Sequence, residues 1–264
     1  MDERQRFDIA RAALMAVAIL MATACDSDNP VGPDRRAAAD HQAFDRACVV
    51  LPGAIVDICH RVTGATGYVP LTIDVADLDF HLAHGDAPVG YPVPGQAGLK
   101  FDRSCRPVPL VSVTITFEGL HGRPDRSPLP QYFESGFRVT PAPGRWVVFT
   151  DPARPASAIG FSRLAEEPTM AGEVTVDAGG APFSVSSLDV YSSITEIPYT
   201  ITGLVDGCPV FTVSAVVPHT FGHFVTVHNP HSTHVIDALL ILLSNPASAC
   251  CPNPVGLDNI VLTR

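Results

Sequence analysis

The chain has 264 residues and a formal net charge of −10 at pH 7, with 17 Lys and Arg against 27 Asp and Glu. An acidic chain with a single lysine, Lys100, is a poor match to a phosphate backbone, so nucleic acid is excluded as a partner class. The length is enough for one large β domain or two small ones.

Residues 12–24 form an uncharged apolar run. The run is too short to span a bilayer and has the length of a signal-peptide core. It ends in Ala22-Thr23-Ala24 before Cys25. This resembles the bacterial lipobox, which implies removal of residues 1–24, lipidation of Cys25 and anchoring to a membrane through that lipid. The protein would then work in the cell envelope, facing the periplasm or the cell exterior. Two departures stand out. Ala22 sits where leucine is commoner, and Arg4, Arg6 and Arg11 are offset by Asp2, Glu3 and Asp8. The alternative is an ordinary secretory signal with Cys25 as a thiol. Residues 25–46 are polar and rich in Asp, Pro and Ala, too poor in large apolar side chains to fold alone. They read as a disordered tether.

Residues 47–109 are short, irregular and rich in His, Asp, Gly and Pro. A region this small needs a staple, and an exported chain permits disulfides. The candidates are Cys48, Cys59 and Cys105 here, and Cys208, Cys250 and Cys251 later. Cys59 pairs with Cys48 or Cys105 on this reading, although six cysteines allow 15 connectivities. The spacing predicts a short helix over 75–84, with His81 and His84 on one face, Gly85 ending it in a left-handed turn and Asp86 returning to the same end. With His60 from a strand, these residues make a candidate transition-metal site. The run Cys59-His60 followed by His81-Leu82-Ala83-His84-Gly85-Asp86 is similar to a small module that recurs in bacterial exported proteins. That resemblance implies a fold unit and no activity.

Residues 111–264 read as β-strands. Val111, Val113, Ile115 and Phe117 alternate with Ser112, Thr114 and Thr116, the period of a half-buried strand. Further strands are expected at 136–139, 145–150, 158–162, 173–177, 183–191, 199–204, 210–217, 221–227, 235–243 and 257–262. Gly179-Gly180, Asp206-Gly207, Asn229-Pro230 and Asn253-Pro254 mark turns between them. Many short strands at this spacing predict an all-β jelly-roll sandwich. Five histidines, His219, His223, His228, His231 and His234, crowd one stretch. His219 and His223, four apart, are expected on one strand face, and without a fixed metal-ligand spacing the stretch reads as a polar loop at a sandwich end.

The segments Ile115-Thr116-Phe117-Glu118, Phe183 to Val190, Ile201-Thr202-Gly203 and Gly256-Leu257-Asp258-Asn259 resemble exported bacterial jelly rolls related to carbohydrate-binding modules. The resemblance covers 111–264. It implies a structural calcium shared by the first and last strands, with Glu118 and Asp258 as oxygen ligands. It also implies a glycan as ligand, for which Trp146, Tyr191 and Tyr199 are the candidate stacking residues, with Phe224 beside them.

No Gly-x-Ser-x-Gly elbow, His-Glu-x-x-His pair or phosphate-binding glycine loop occurs. The expectation is a non-enzymatic envelope lipoprotein that binds a glycan or other surface component through a calcium-stabilised sandwich. Two alternatives stay open: a metal-binding protein or metalloenzyme built on His60, His81 and His84, and a structural protein that contacts a surface partner.

Overall fold

The computed structural model describes residues 54–62, 67–143, 146–150, 158–163, 169–220, 223–246 and 251–264. The signal, Cys25, the tether, Cys48 and Cys250 lie outside the described residues.

Residues 54–109 build two small sheets around a disulfide. Strand β1 (Ile55–Arg61) lies between β2 (Tyr68–Asp74) and β3 (Ala87–Pro88). Between β2 and β3 the chain makes a 3-10 turn (Val75–Asp77) and then one short helix, α1 (Leu78–Ala83). The expected helix over 75–84 is therefore split. Asp74 caps the 3-10 turn by accepting from the Ala76 amide at 2.8 Å, which fixes the tighter winding before α1 begins. Strands β4 (Leu99–Phe101) and β5 (Pro107–Pro109) form a second ribbon. Cys59 of β1 is bonded to Cys105, and both pack with Ala87, Val93 and Phe101 in a small buried cluster. Asp102 holds the turn that presents Cys105 by accepting from the amides of Ser104 and Arg106. Those bonds, the Arg106 amide foremost, hold its carboxyl below the ordinary value.

Residues 112–263 form a jelly-roll sandwich of two antiparallel sheets. The first sheet runs β15 (Phe224–His228), β12 (Ser184–Ser192), β17 (Asn253–Thr263), β10 (Ala158–Arg163) and β9 (Val147–Phe149), with β6 (Ser112–Ile115) also paired to β17. The second runs β14 (Cys208–Val217), β13 (Ile197–Val205), β16 (Ala238–Asn245), β11 (Met170–Asp177), β8 (Phe137–Pro141) and β7 (Tyr132–Glu134). Their inward residues meet in one core. Leu239, Ile241 and Leu243 of β16 are fully buried, as are Val174 and Val176 of β11 and Leu257, Ile260 and Leu262 of β17. Each such side chain contributes roughly 1.5–3 kcal/mol by leaving water. The apolar run 235–243 is thus a central strand, and its alternation sets which leucines enter the core. The first and last strands of the sandwich are neighbours, with Ile115 opposite Ile260.

Two expectations are corrected. Asn253-Pro254 begins strand β17 and does not make a turn. The Asn253 side-chain amide donates to Asn245 Oδ1 at 2.9 Å, and Asn245 donates back to the Asn253 carbonyl at 2.7 Å. This buried amide pair locks β17 in place. His219 and His223 do not share a strand face, because they lie in the connection before β15, which starts at Phe224. Asp206-Gly207 does turn as expected, with φ of +51° and +77°, and the Asp206 amide donates to Asp237 at 2.7 Å. Among the described residues no helix is long and apolar enough to cross a membrane.

Candidate functional site

Strand β1 and the end of α1 bring three of the four metal candidates together. His60 follows the buried pair Ile58 and Cys59, so the disulfide fixes the backbone beside it. Gly85 takes φ +85°, the left-handed conformation that ends α1, and the Asp86 amide returns to the His81 carbonyl at 3.2 Å. Asp86 is thereby turned inward, its side chain fully buried. One carboxylate oxygen, Oδ2, lies 2.8 Å from His60 Nδ1 and 2.8 Å from His81 Nδ1. The other, Oδ1, accepts from the Arg61 amide at 2.7 Å. Burial pushes the Asp86 carboxyl up, but the Arg61 amide and the two imidazoles outweigh it and hold the group below its ordinary value. The carboxylate is then an acceptor only, so both imidazoles present Nδ1–H to it. The two rings stand edge to face, 5.6 Å apart. His84 does not join them. It is exposed and its Nδ1 bonds the Phe80 carbonyl at 2.6 Å, because a helix of six residues leaves that carbonyl without an intrahelical partner.

A second cluster lies where β6, β12 and β17 meet. Asp258 of β17 is buried and stands opposite Asp189 of β12. Burial pushes its carboxyl up to about 7, and the charges of Asp189, Glu118 and Glu134 add to the rise against one bond from the Asn259 amide. Glu134 is committed to the amides of Thr116 and Phe117 and to the hydroxyls of Thr116 and Tyr132. Asp189 is committed to Thr226 and Asn259. Asp258 and the exposed Glu118 are the carboxylates left to face a cation. Both are oxygen donors, the type of ligand that calcium takes.

The aromatic candidates are not a platform. Trp146 is buried in the main core and donates its Nε1–H to the Glu173 carbonyl at 2.8 Å. Tyr191 is buried against Phe224, ring centroids 5.7 Å apart. Tyr199 packs on the main core. In the histidine-rich stretch, His231 stacks on Phe211 at 5.3 Å and His234 stands edge-on to His231 at 5.1 Å. Cys208 opens β14, and Cys251 is exposed ahead of β17.

A feature missed by sequence reasoning is a cleft of about 480 Å³. One wall comes from Gly90, Pro92, Lys100 and Leu110, and the other from β12, β17 and the segment before β16. Gly90 lets the two walls meet. A Cβ there would stand 2.3 Å from Pro182, and φ is +85°. The lining of the cleft is mixed: Leu110, Pro182, Phe183 and Val235 are apolar, Ser184, Ser232, Thr233 and Thr263 are hydroxyl-bearing residues, and Lys100 and Arg264 are basic. Burial, and then Arg264, lowers the Lys100 ammonium below its ordinary value. Only the isolation of the single lysine in an acidic chain hinted at this position.

The fold and these clusters define a jelly-roll sandwich protein carrying a disulfide-stapled Cys/His unit. No protein-family model and no curated protein matches the sequence. Solved structures similar to the chain include a family 29 carbohydrate-binding module from Piromyces equi, at 13% identity and TM-score 0.36, covering 59% of this chain and 91% of that one. A family 29 module complexed with mannohexaose has 10% identity and TM-score 0.35, covering 59% and 93%. The module TmCBM61, in complex with β-1,4-galactotriose, has 12% identity and TM-score 0.33, covering 49% and 89%. At this level of similarity none of those ligands transfers to the present chain.

Proposed function

We propose that this chain is a non-enzymatic cell-envelope lipoprotein that binds an acidic glycan in the cleft beside Lys100. The observation that carries the reading is the chemistry of that cleft. A lining of hydroxyl-bearing and apolar residues suits a saccharide, which offers both hydroxyl edges and C–H faces. Two cations in a chain of net charge −10 suit a carboxylate or sulfate on it. Among the described residues no Asp, Glu, His or Cys side chain lines the cleft. Glycoside hydrolysis commonly needs a carboxylate pair, so the lining favours binding over cleavage.

Calcium is the proposed structural ion, with Asp258 and Glu118 as its side-chain ligands. The support is a buried carboxyl beside three others, with no cation from the chain bonded to it among the described residues. Anchoring through a lipid on Cys25 completes the proposal. Its support is the sequence alone.

The test is a glycan array of neutral and acidic saccharides, probed in calcium buffer with the chain lacking residues 1–24. Hits are expected among acidic saccharides. Lys100→Ala should weaken them about tenfold, the loss of one charge-assisted contact. An array with no hits, or hits indifferent to Lys100→Ala, overturns the reading.

A further inference from the structure

We infer that His60, His81 and Asp86 form a binding site for one divalent transition ion, zinc by preference. The site is independent of the cleft and of the glycan reading. The three side chains offer ligand atoms that all lie within 4.8 Å of one another, two of the edges being the 2.8 Å contacts to Asp86 Oδ2.

The geometry needs little change to admit an ion. Zinc sits about 2.0–2.1 Å from imidazole nitrogen and carboxylate oxygen. Tetrahedral angles then separate the ligand atoms by roughly 3.3 Å, so each N···O edge opens by about 0.5 Å. The ion takes the place of the two hydrogens now directed at Oδ2. In the bound form each ligating Nδ1 carries no proton, and each ring keeps its one proton on Nε2. The backbone is already fixed. The Cys59–Cys105 bond holds the strand beside His60, the left-handed Gly85 turns Asp86 inward, and the Arg61 amide orients the carboxylate through Oδ1. That last contact is the outer-shell support that metal-ligating carboxylates usually have.

The donor set also selects the ion. Two imidazole nitrogens and one carboxylate oxygen suit zinc, iron(II) and copper better than calcium or magnesium, which prefer all-oxygen sets. Three protein ligands leave a fourth position for water or a ligand atom. His60 is the open side, with 39% of its side chain exposed against 17% for His81 and none for Asp86. An ion can therefore enter from solvent while Asp86 stays buried.

The experiment is elemental analysis of the full chain, purified oxidised and without chelator, followed by titration of the stripped protein with zinc and with cobalt(II) as a spectroscopic probe. One zinc per chain is expected, and cobalt should give the visible bands of a four-coordinate site. His81→Gln and His60→Gln should each lower zinc affinity at least tenfold and remove the cobalt bands. His84→Ala should leave both unchanged, since His84 is bonded to the Phe80 carbonyl. Circular dichroism of each variant shows whether it has folded. If His60→Gln does not fold, the contrast between His81→Gln and His84→Ala decides. Failure of the stripped wild-type chain to take up zinc or cobalt makes the trio a hydrogen-bonded staple and overturns the inference. Equal loss in His84→Ala and His81→Gln overturns it too. Neither outcome touches glycan binding, which is read on the array with Lys100→Ala.

Discussion

Asp258 places an ionisable group where its charge is costly. Its carboxyl is pushed up to about 7 by burial and by neighbouring carboxylates, whereas the unfolded chain releases that proton near 3.8. Between those values the folded state holds a proton that the unfolded state has lost. Stability therefore falls as pH rises from about 4 to about 7, and stays at the lower level above that. In chelator, the melting temperature should be higher at pH 5 than at pH 8 by about 5 °C, after a shift on the order of a few kcal/mol. Calcium should restore the loss at pH 8, because the ion replaces the proton as the neutralising charge. Asp258→Asn should flatten both responses in a thermal melt. If calcium does not move the pH 8 transition, Asp258 and Glu118 are not its ligands. At this scale the sequence exposes residue types and spacing but not direction. The run from His81 to Asp86 shows two histidines on one helical face, but not that the helix is six residues long and ends with His84 on the Phe80 carbonyl. Alternation separates the two faces of a strand, yet it does not reveal that Tyr191 is covered by Phe224.

The small sheets of residues 54–109 depend on one covalent link. Their buried cluster holds five side chains, two of them the bonded cysteines, too few to offset the entropy of ordering the segment. The Cys59–Cys105 bond closes a loop with a sequence separation of 46, which on the chain-entropy model contributes about 4 kcal/mol. Cys59→Ser with Cys105→Ser should unfold these strands in urea before the sandwich, seen as early loss of the Tyr68 environment against a late loss of Trp146 fluorescence. Coincident transitions would show that the sandwich carries the small sheets without the bond. Strands were the most legible elements. Those of the sandwich bury one face, so their period-2 pattern is strong in 111–117 and 173–177, whereas 235–243 is a continuous apolar run that could equally be a buried helix and shows its alternation only in the burial of β16. Strand β7 escaped notice because Tyr132, Phe133 and Glu134 are too few to show a period. Asn253-Pro254 misled because an asparagine before proline usually turns the chain. Here a long-range partner, Asn245, satisfies the asparagine amide and holds the segment extended.

The cleft exists only because two stretches distant in the sequence meet, so no local pattern announces it. Lys100 lies on β4 and Arg264 follows β17. The meeting point is Gly90 against Pro182, with Tyr91 close enough to Asp237 and Asp206 that burial, and then their charges, raise its hydroxyl. Gly90→Ala tests whether this contact shapes the ligand site. The new Cβ would stand 2.3 Å from Pro182 Cγ at a φ of +85°, so the loop must shift and the backbone is strained by on the order of 1–3 kcal/mol. Neither cation is altered, and the sandwich core keeps every side chain. Acidic-glycan affinity should nonetheless fall by at least the tenfold expected for Lys100→Ala, while Trp146 fluorescence reports an intact sandwich. Wild-type binding should also weaken steeply with added salt, since exposed charges are screened over about 8–10 Å. At saturation the ligand should raise the wild-type melting temperature, because it bridges both walls and binds only the folded arrangement. Gly90→Ala should remove that rise. Full affinity and full thermal protection in Gly90→Ala would mean that the ligand needs only one wall, and the binding surface would then have to be sought on the sandwich alone.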